Sequence, residues 1–368
     1  MNFLRPISIV AVSLTLASDA MAQISLTPPA TESKPAAKKD APKESPKENL
    51  RQKPKAPVAA KKPAAPTAAP KPAPTPTPSA TTIPAPAFED PSVDLVYGAY
   101  QRGMYKTAFD LAMTRAQYNG DPKAMTMLGE LYENAMGVKR DYAKAADWYR
   151  RASDGGDREG MFALAMMRFA GRGGPVNREE AAKLLASSAK LGNSKAAYNL
   201  ALLYLDGQTL PQDVRRSAEL LRVAADAGNP EAQYALATFY KEGNGVPKDL
   251  DKAVRLLQAA SLAGNVDAEV EYAIALYNGT GTPKNEAAAV ALLRKAAKQN
   301  SPIAQNRLAR VLVSGQGAPM DKVEGLKWHI VAKTSGKGDP ELDDALAGLS
   351  PEDRAKAEAA ARKWLGAK

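Results

Sequence analysis

The chain has 368 residues, 45% of them hydrophobic and 24% charged, enough to build a substantial core. It holds no cysteine and one histidine, which excludes disulfides, a thioether-linked lipid anchor and thiol catalysis, and leaves a zinc site or a Ser-His-Asp triad short of its usual groups. Residues 1–80 carry twelve Lys or Arg against five Asp or Glu, so +7 of the formal +10 belongs to the N-terminal region. The pI of 9.4 therefore describes a tail more than a folded body.

In chain order, Arg5 precedes an apolar stretch from Ile7 to Ala17, followed by Ala20-Met21-Ala22. A basic start, a short apolar core and an A-x-A site predict a secretory signal over 1–22, cut before Gln23, and hence a periplasmic or secreted protein. An uncleaved membrane anchor or a buried helix is the competing reading of the same segment. Residues 23–92 are predicted to be a disordered, basic Pro/Ala/Lys-rich linker. Seventeen of the 28 prolines fall there, as in Lys71-Pro-Ala-Pro-Thr-Pro-Thr-Pro78, and no aromatic residue occurs from Gln23 to Ala87. Fully extended, such a linker would reach on the order of 200 Å. Its charge would allow weak contact with anionic cell wall or lipid; a plain spacer is the simpler reading. Nucleic acid is not an expected partner, because no stacking aromatics accompany the basic residues.

From here the sequence repeats. Gly120, Gly156, Gly192, Gly228, Gly264, Asn300 and Gly336 stand 36 residues apart. Glycine and asparagine are the residues most at ease in the left-handed conformation that closes a helix, so these seven positions read as helix stops. A second column, Asp141, Asn177, Asp213, Asp249, Asn285 and Asp321, holds short polar side chains suited to capping a helix start. Inside that helix a small residue (Ala145, Ala181, Ser217, Ala253, Ala289, Gly325) precedes by three a large one (Trp148, Leu184, Leu220, Leu256, Leu292, Trp328). A first helix starts just after each stop, with Leu128, Leu164, Leu200, Leu236, Tyr272 and Leu308 as its core column. Gly129 and then Ala165, Ala201, Ala237, Ala273 and Ala309 follow as close-approach positions. Gly-x-Gly turns join the two helices, as at Gly171-x-Gly173 and Gly243-x-Gly245.

The run Ala124-x-x-x-Leu128-Gly129-x-x-Tyr132, then Gly137-Val138-x-x-Asp141-x-x-x-Ala145-x-x-Trp148-Tyr149-x-x-Ala152, resembles the Sel1-like repeat, a relative of the tetratricopeptide repeat. The resemblance covers six units over 121–336 and implies an all-α fold: an α/α solenoid of helix-turn-helix repeats winding as a right-handed superhelix. Arg168, Leu276 and Leu312 depart from the tyrosine at Tyr132, Tyr204 and Tyr240, and Thr209 replaces a turn glycine. Residues 93–120 read as a degenerate capping helix pair. Residues 337–368 read as a capping helix that starts at Ser350-Pro351-Glu352-Asp353, with Ala357, Ala361, Trp364 and Leu365 as its apolar stripe.

Little in the sequence points to catalysis. His329 shares a column with Tyr149, Leu185, Leu221, Leu257 and Leu293, which assigns it to packing. The Gly-x-Gly turns follow helices rather than strands and lack a Walker lysine, so they are not phosphate loops. Eight of eleven methionines lie between Met104 and Met167, read as gap-fillers; an adaptable binding surface or a copper(I) site is the alternative. Glu179-Glu180 and Asp343-Asp344 read as solvated faces. No catalytic residue, cofactor or metal is expected.

In stacked helix pairs the first helices line the concave side. Its variable columns are Met127, Ala163, Asn199, Ala235, Glu271, Arg307 and Glu130, Met166, Leu202, Thr238, Ile274, Arg310. They predict an apolar middle with charged ends, suited to another envelope protein or peptide. The resemblance implies a scaffold or adaptor for a signalling, exopolysaccharide or secretion complex. Some secreted relatives act on β-lactams, but those are cysteine-rich and this chain has no cysteine. A cell-wall enzyme, or a protein that holds peptidoglycan through its linker, is the alternative.

Overall fold

The computed structural model describes residues 94–366. The expected signal at 1–22 and linker at 23–92 lie outside these residues. The described chain is all-helical. It opens with α1 (Leu95–Gln101) and α2 (Tyr105–Tyr118). Six helix pairs follow: α3 (Pro122–Asn134) with α4 (Tyr142–Asp154), α5 (Arg158–Ala170) with α6 (Arg178–Lys190), and α7 (Ser194–Asp206) with α8 (Val214–Asp226). Then come α9 (Pro230–Glu242) with α10 (Leu250–Leu262), α11 (Val266–Asn278) with α12 (Glu286–Lys298), and α13 (Pro302–Ser314) with α14 (Lys322–Thr334). Two further helices, α15 (Pro340–Ala347) and α16 (Pro351–Leu365), close it. From α1 to α14 each helix packs on the next in the chain, most closely within a repeat pair, which makes the array a solenoid.

The column at Asp141 caps the second helices as the sequence predicts. Its side-chain oxygen accepts the N–H three residues on, from Asp141–Lys144 at 3.0 Å to Asp321–Glu324 at 2.9 Å. First helices have caps too, which the sequence reading passed over. Asp121, Asp157, Asn193, Asn229, Asn265 and Ser301 directly follow the first six stops and cap the helix that begins there. Each of these six stops therefore ends one helix and presents the cap of the next.

All seven stops have positive φ, from 62° at Gly120 to 91° at Gly264, with Asn300 at 63°. Around Gly120, Gly156, Gly228, Gly264 and Gly336 an added Cβ would meet nothing, so conformation alone demands glycine there. The second turn glycine has a different reason. A Cβ on Gly281 would lie 2.5 Å from the Leu250 carbonyl oxygen, and one on Gly173 would overlap that of Tyr142. These turns press on the start of the preceding pair's second helix, and a side chain would push the stack apart.

The core is a ladder running through the stack. Leu128, Leu164, Leu200, Leu236 and Leu308 are buried, whereas Tyr272 is half-buried. In the second helices the fully enclosed column is Tyr149, Leu185, Leu221, Leu257 and Leu293. The adjacent column chosen from sequence, Trp148 to Leu292, stays half-buried until Trp328. Tyr149 explains Gly129: a Cβ there would lie 2.5 Å from the tyrosine ring, so the one repeat with tyrosine in that column has glycine where the others have alanine.

The departures at Arg168, Leu276 and Leu312 cost the fold little because that position works through its backbone. Its carbonyl accepts the N–H of the second-helix cap residue in every repeat, from 2.8 Å at Leu276–Asn285 to 3.1 Å at Tyr132–Asp141. The C-terminal end differs from the single capping helix read from sequence. The short α15 lies against α13 in the place of a first helix, and α16 packs on α14. Ser350 does cap α16, accepting from Asp353 N at 3.1 Å. Ala357 and Ala361 are buried, while Trp364 meets Trp328 edge-on at 5.0 Å and remains partly exposed with Leu365.

Candidate functional site

The first-helix columns singled out from sequence are treated differently by the fold. Ile274 is the correction: at 7% exposure it belongs to the C-terminal core with Leu276, Leu308 and Leu312, and offers nothing to a partner. Met127 is half-buried and packs against the N-terminal core. Met166 and Leu202 are half-buried and belong to no core cluster.

The polar members of these columns are engaged within the molecule. Glu130 accepts the Tyr100 hydroxyl at 2.6 Å, tying α1 to α3. Glu271 pairs with Lys241 at 3.0 Å, tying α11 to α9. Arg310 reaches Asp339 at 2.6 Å and Glu341 at 3.2 Å, fastening α15 to α13. Asn199 donates back to the Lys195 carbonyl at 2.8 Å. Arg307 is half-buried; burial, then the nearby Arg310 charge, lowers its pKa, while Asp339 and Glu271 offset them. The charged ends expected of this face are therefore lateral ties between neighbouring first helices.

One residue before the first column runs another: Thr126, Phe162, Tyr198, Tyr234, Val270 and Asn306. Its end members brace the next cap, Thr126 Oγ1 donating to Asp157 at 2.6 Å and Asn306 to Asp339 at 3.1 Å. Phe162, Tyr198 and Tyr234 occupy the middle, half-buried against the core of their own repeats. The sequence reading missed them, although three aromatics at successive repeat positions were visible. Burial, then the Glu231 charge, pushes the Tyr198 phenol pKa up. Burial, then Glu271 and Asp267, does the same to Tyr234. Burial, then Glu271, raises the Asp267 carboxyl.

Elsewhere the chemistry is structural. His329 is fully buried in its packing column, with Nε2 at 2.8 Å from Asp343, which also takes Lys333 at 2.7 Å. Glu180 pairs with the buried Arg168 at 2.9 Å. Asp343 and Glu180 are thus tied to fixed partners rather than simply solvated. A hollow of about 490 Å³ between α10, α11 and the following turn is lined by Asp251, Val254, Arg255, Gln258, Tyr272 and Thr282 among others. Among the described residues there is no histidine, cysteine or carboxylate group arranged to hold a metal, and no helix long and apolar enough to cross a membrane.

A stack of capped, glycine-stopped helix pairs with lateral ties along one face defines a helical-repeat scaffold of the protein–protein interaction class. The Sel1 repeat model matches residues 122–157, 158–193, 194–229, 230–265, 266–301 and 302–336, and the chain belongs to that family. It is similar to a Sel1 repeat protein from Oxalobacter formigenes, at 25% identity and a TM-score of 0.57, over 64% of this chain and 94% of that one. It is also similar to c5321, a protective antigen of uropathogenic Escherichia coli strains with an SLR fold. There the identity is 26% and the TM-score 0.52, over 71% of this chain and 64% of the antigen. No curated protein matches the chain.

Proposed function

We propose that this chain is an exported, non-enzymatic scaffold of the bacterial envelope that holds a segment of another envelope protein on its first-helix face. The observation that carries the reading is the state of that face. Its charged residues are used to tie neighbouring helices together, while Met166 and Leu202 remain half-buried outside every core cluster. Half-exposed apolar side chains on a preformed, laterally braced surface favour docking, because little ordering entropy is lost when a partner arrives. The complex served would be a signalling, exopolysaccharide or secretion assembly. Export rests on the basic, apolar and A-x-A segments of residues 1–22.

Proximity labelling from the C-terminus of the full chain in its native cell tests the reading. Enrichment of envelope proteins, with a mature N-terminus at Gln23, is expected. Cytoplasmic neighbours would overturn export, an intact Met1 would overturn cleavage of the signal, and labelling no stronger than a freely diffusing control would overturn the scaffold. The basic charge of residues 1–80 supports a second, weaker contact with anionic cell wall. Sedimentation with peptidoglycan should then fall as salt rises.

A further inference from the structure

The junction between the fourth and fifth repeats departs from its neighbours. Tyr272 stands in the core column that holds leucine elsewhere, and it is half-buried where those leucines are buried. Just after the second turn position, Val138, Leu210, Val246 and Ala318 each pack against a core cluster. Thr282 puts a hydroxyl at that place instead. The hollow of about 490 Å³ opens at this junction, with a volume in the range of small-ligand sites. Asp251, Val254, Arg255 and Gln258 come to it from one face of α10, Tyr272 from α11 and Thr282 from the turn that follows. Among the described residues, the side chains of Asp251, Arg255, Gln258, Tyr272 and Thr282 have no hydrogen bond or ion pair within the molecule. The charges that adjoin them in sequence are matched, Lys252 with Asp249 at 3.1 Å and Lys284 with Glu286 at 2.6 Å.

We propose that this hollow binds a small zwitterion, a free amino acid or a dipeptide, with its ammonium on Asp251 and its carboxylate on Arg255. These two are the charged residues of the lining, and they are opposite in sign. They stand one helical turn apart, a spacing of about 5–6 Å between Cβ atoms, so one small molecule can reach both. The planar guanidinium suits a carboxylate held by two parallel hydrogen bonds. Gln258, Thr282 and the Tyr272 hydroxyl offer further donors and acceptors, while Val254 and the Tyr272 ring offer a surface for the ligand's side chain. An apolar ligand would strip water from five polar groups without replacing their hydrogen bonds. A ligand of one charge alone would meet a like charge in Asp251 or Arg255. None of these residues belongs to the columns of the first-helix face, so the site stands independently of the scaffold reading.

The test is an amide chemical-shift titration of the isotope-labelled full chain with leucine and with glycylleucine. At least one of them should move the Thr282 and Gln258 amides and leave Val246, the equivalent of Thr282 one junction earlier, in place. The one that acts at lower concentration tells amino acid from dipeptide. N-acetylleucine and leucine amide, each lacking one of leucine's charges, should bind about threefold to fivefold more weakly than leucine, the range of one exposed ion pair. Arg255→Gln should weaken leucine by the same factor and leave leucine amide unaffected. Asp251→Asn should weaken leucine and leave N-acetylleucine unaffected. Both substitutions fall at exposed positions, so the thermal midpoint should not change. A general loss of structure would weaken every ligand alike, whereas the site predicts that each variant matches one missing charge. Thr282 unmoved by both ligands, Val246 moving as far as Thr282, or the two blocked leucines binding as well as leucine would each overturn the site.

Discussion

At the scale of single residues, the repeat is governed by where a Cβ can go. Gly264 and Gly173 are both glycines at positive φ, yet substitution should have different costs. Gly264→Ala meets open space and should lose about 1–2 kcal/mol from the left-handed backbone alone. Gly173→Ala adds a collision with the Tyr142 carbonyl and should cost clearly more, which urea unfolding of the two variants would show. The Gly129–Tyr149 contact makes a sharper case. Gly129→Ala should destabilise by about 1–3 kcal/mol through overpacking, and adding Tyr149→Leu should recover most of it, because the next four repeats use Ala with Leu. If the double variant is no more stable than Gly129→Ala, the compensation is wrong. The stops were legible in the sequence because glycine and asparagine have few other reasons to recur at a fixed spacing. The Gly129–Tyr149 exchange was not, since it depends on a ring from the other helix of the pair.

At the scale of elements, all twelve repeat helices are 13 residues long and each is capped at its start. The sequence showed the second-helix caps but hid those of the first helices. Asp121, Asp157 and Asn193 follow the stops so closely that they read as part of the turn. The C-terminal cap was also only half legible: α16 has a Ser-Pro-Glu-Asp start, but α15 shows its role only through Asp339. That carboxylate is buried, which pushes its pKa up, but hydrogen bonds from Arg310 and Asn306 and the Arg310 charge outweigh burial and hold it below the usual range. A depressed carboxylate stabilises the fold above the unfolded value of about 4 and loses that contribution as pH falls through the lower folded value. Acid should therefore release α15 before the repeats, seen as early hydrogen exchange in residues 340–347. Arg310→Ala leaves a buried carboxylate with one donor fewer and should cost about 1–3 kcal/mol, opening the same helix at neutral pH. Exchange in α15 that stays as slow as in α13 under both conditions would contradict the clamp.

At the scale of the whole molecule, the solenoid assigns most of its distinctive residues to structure. The Gly-x-Gly turns, His329, Arg168 and most of the charged residues on the first-helix face each have a packing or tying role. The period made the fold legible from sequence, because each column repeats its reason six times. The face was legible only in outline. A helical wheel places Ile274 beside Leu202 in one column, but neighbouring repeats bury the first and leave the second half-exposed. Nor does sequence show that Glu130, Glu271 and Arg310 are occupied by partners about one repeat away. Phe162, Tyr198 and Tyr234 emerge as a group only once adjacent helices are seen side by side.

If the first-helix face holds another protein, a crosslinker placed on that face captures it and one placed elsewhere does not. Site-specific photo-crosslinking in the native cell tests it most directly, with a benzoylphenylalanine placed at Leu202 in one variant and at the exposed Val223 of α8 in another. A discrete adduct from position 202 and none from position 223 is the predicted result. Equal adducts from both positions, or none from position 202 while the protein remains folded, would contradict the claim.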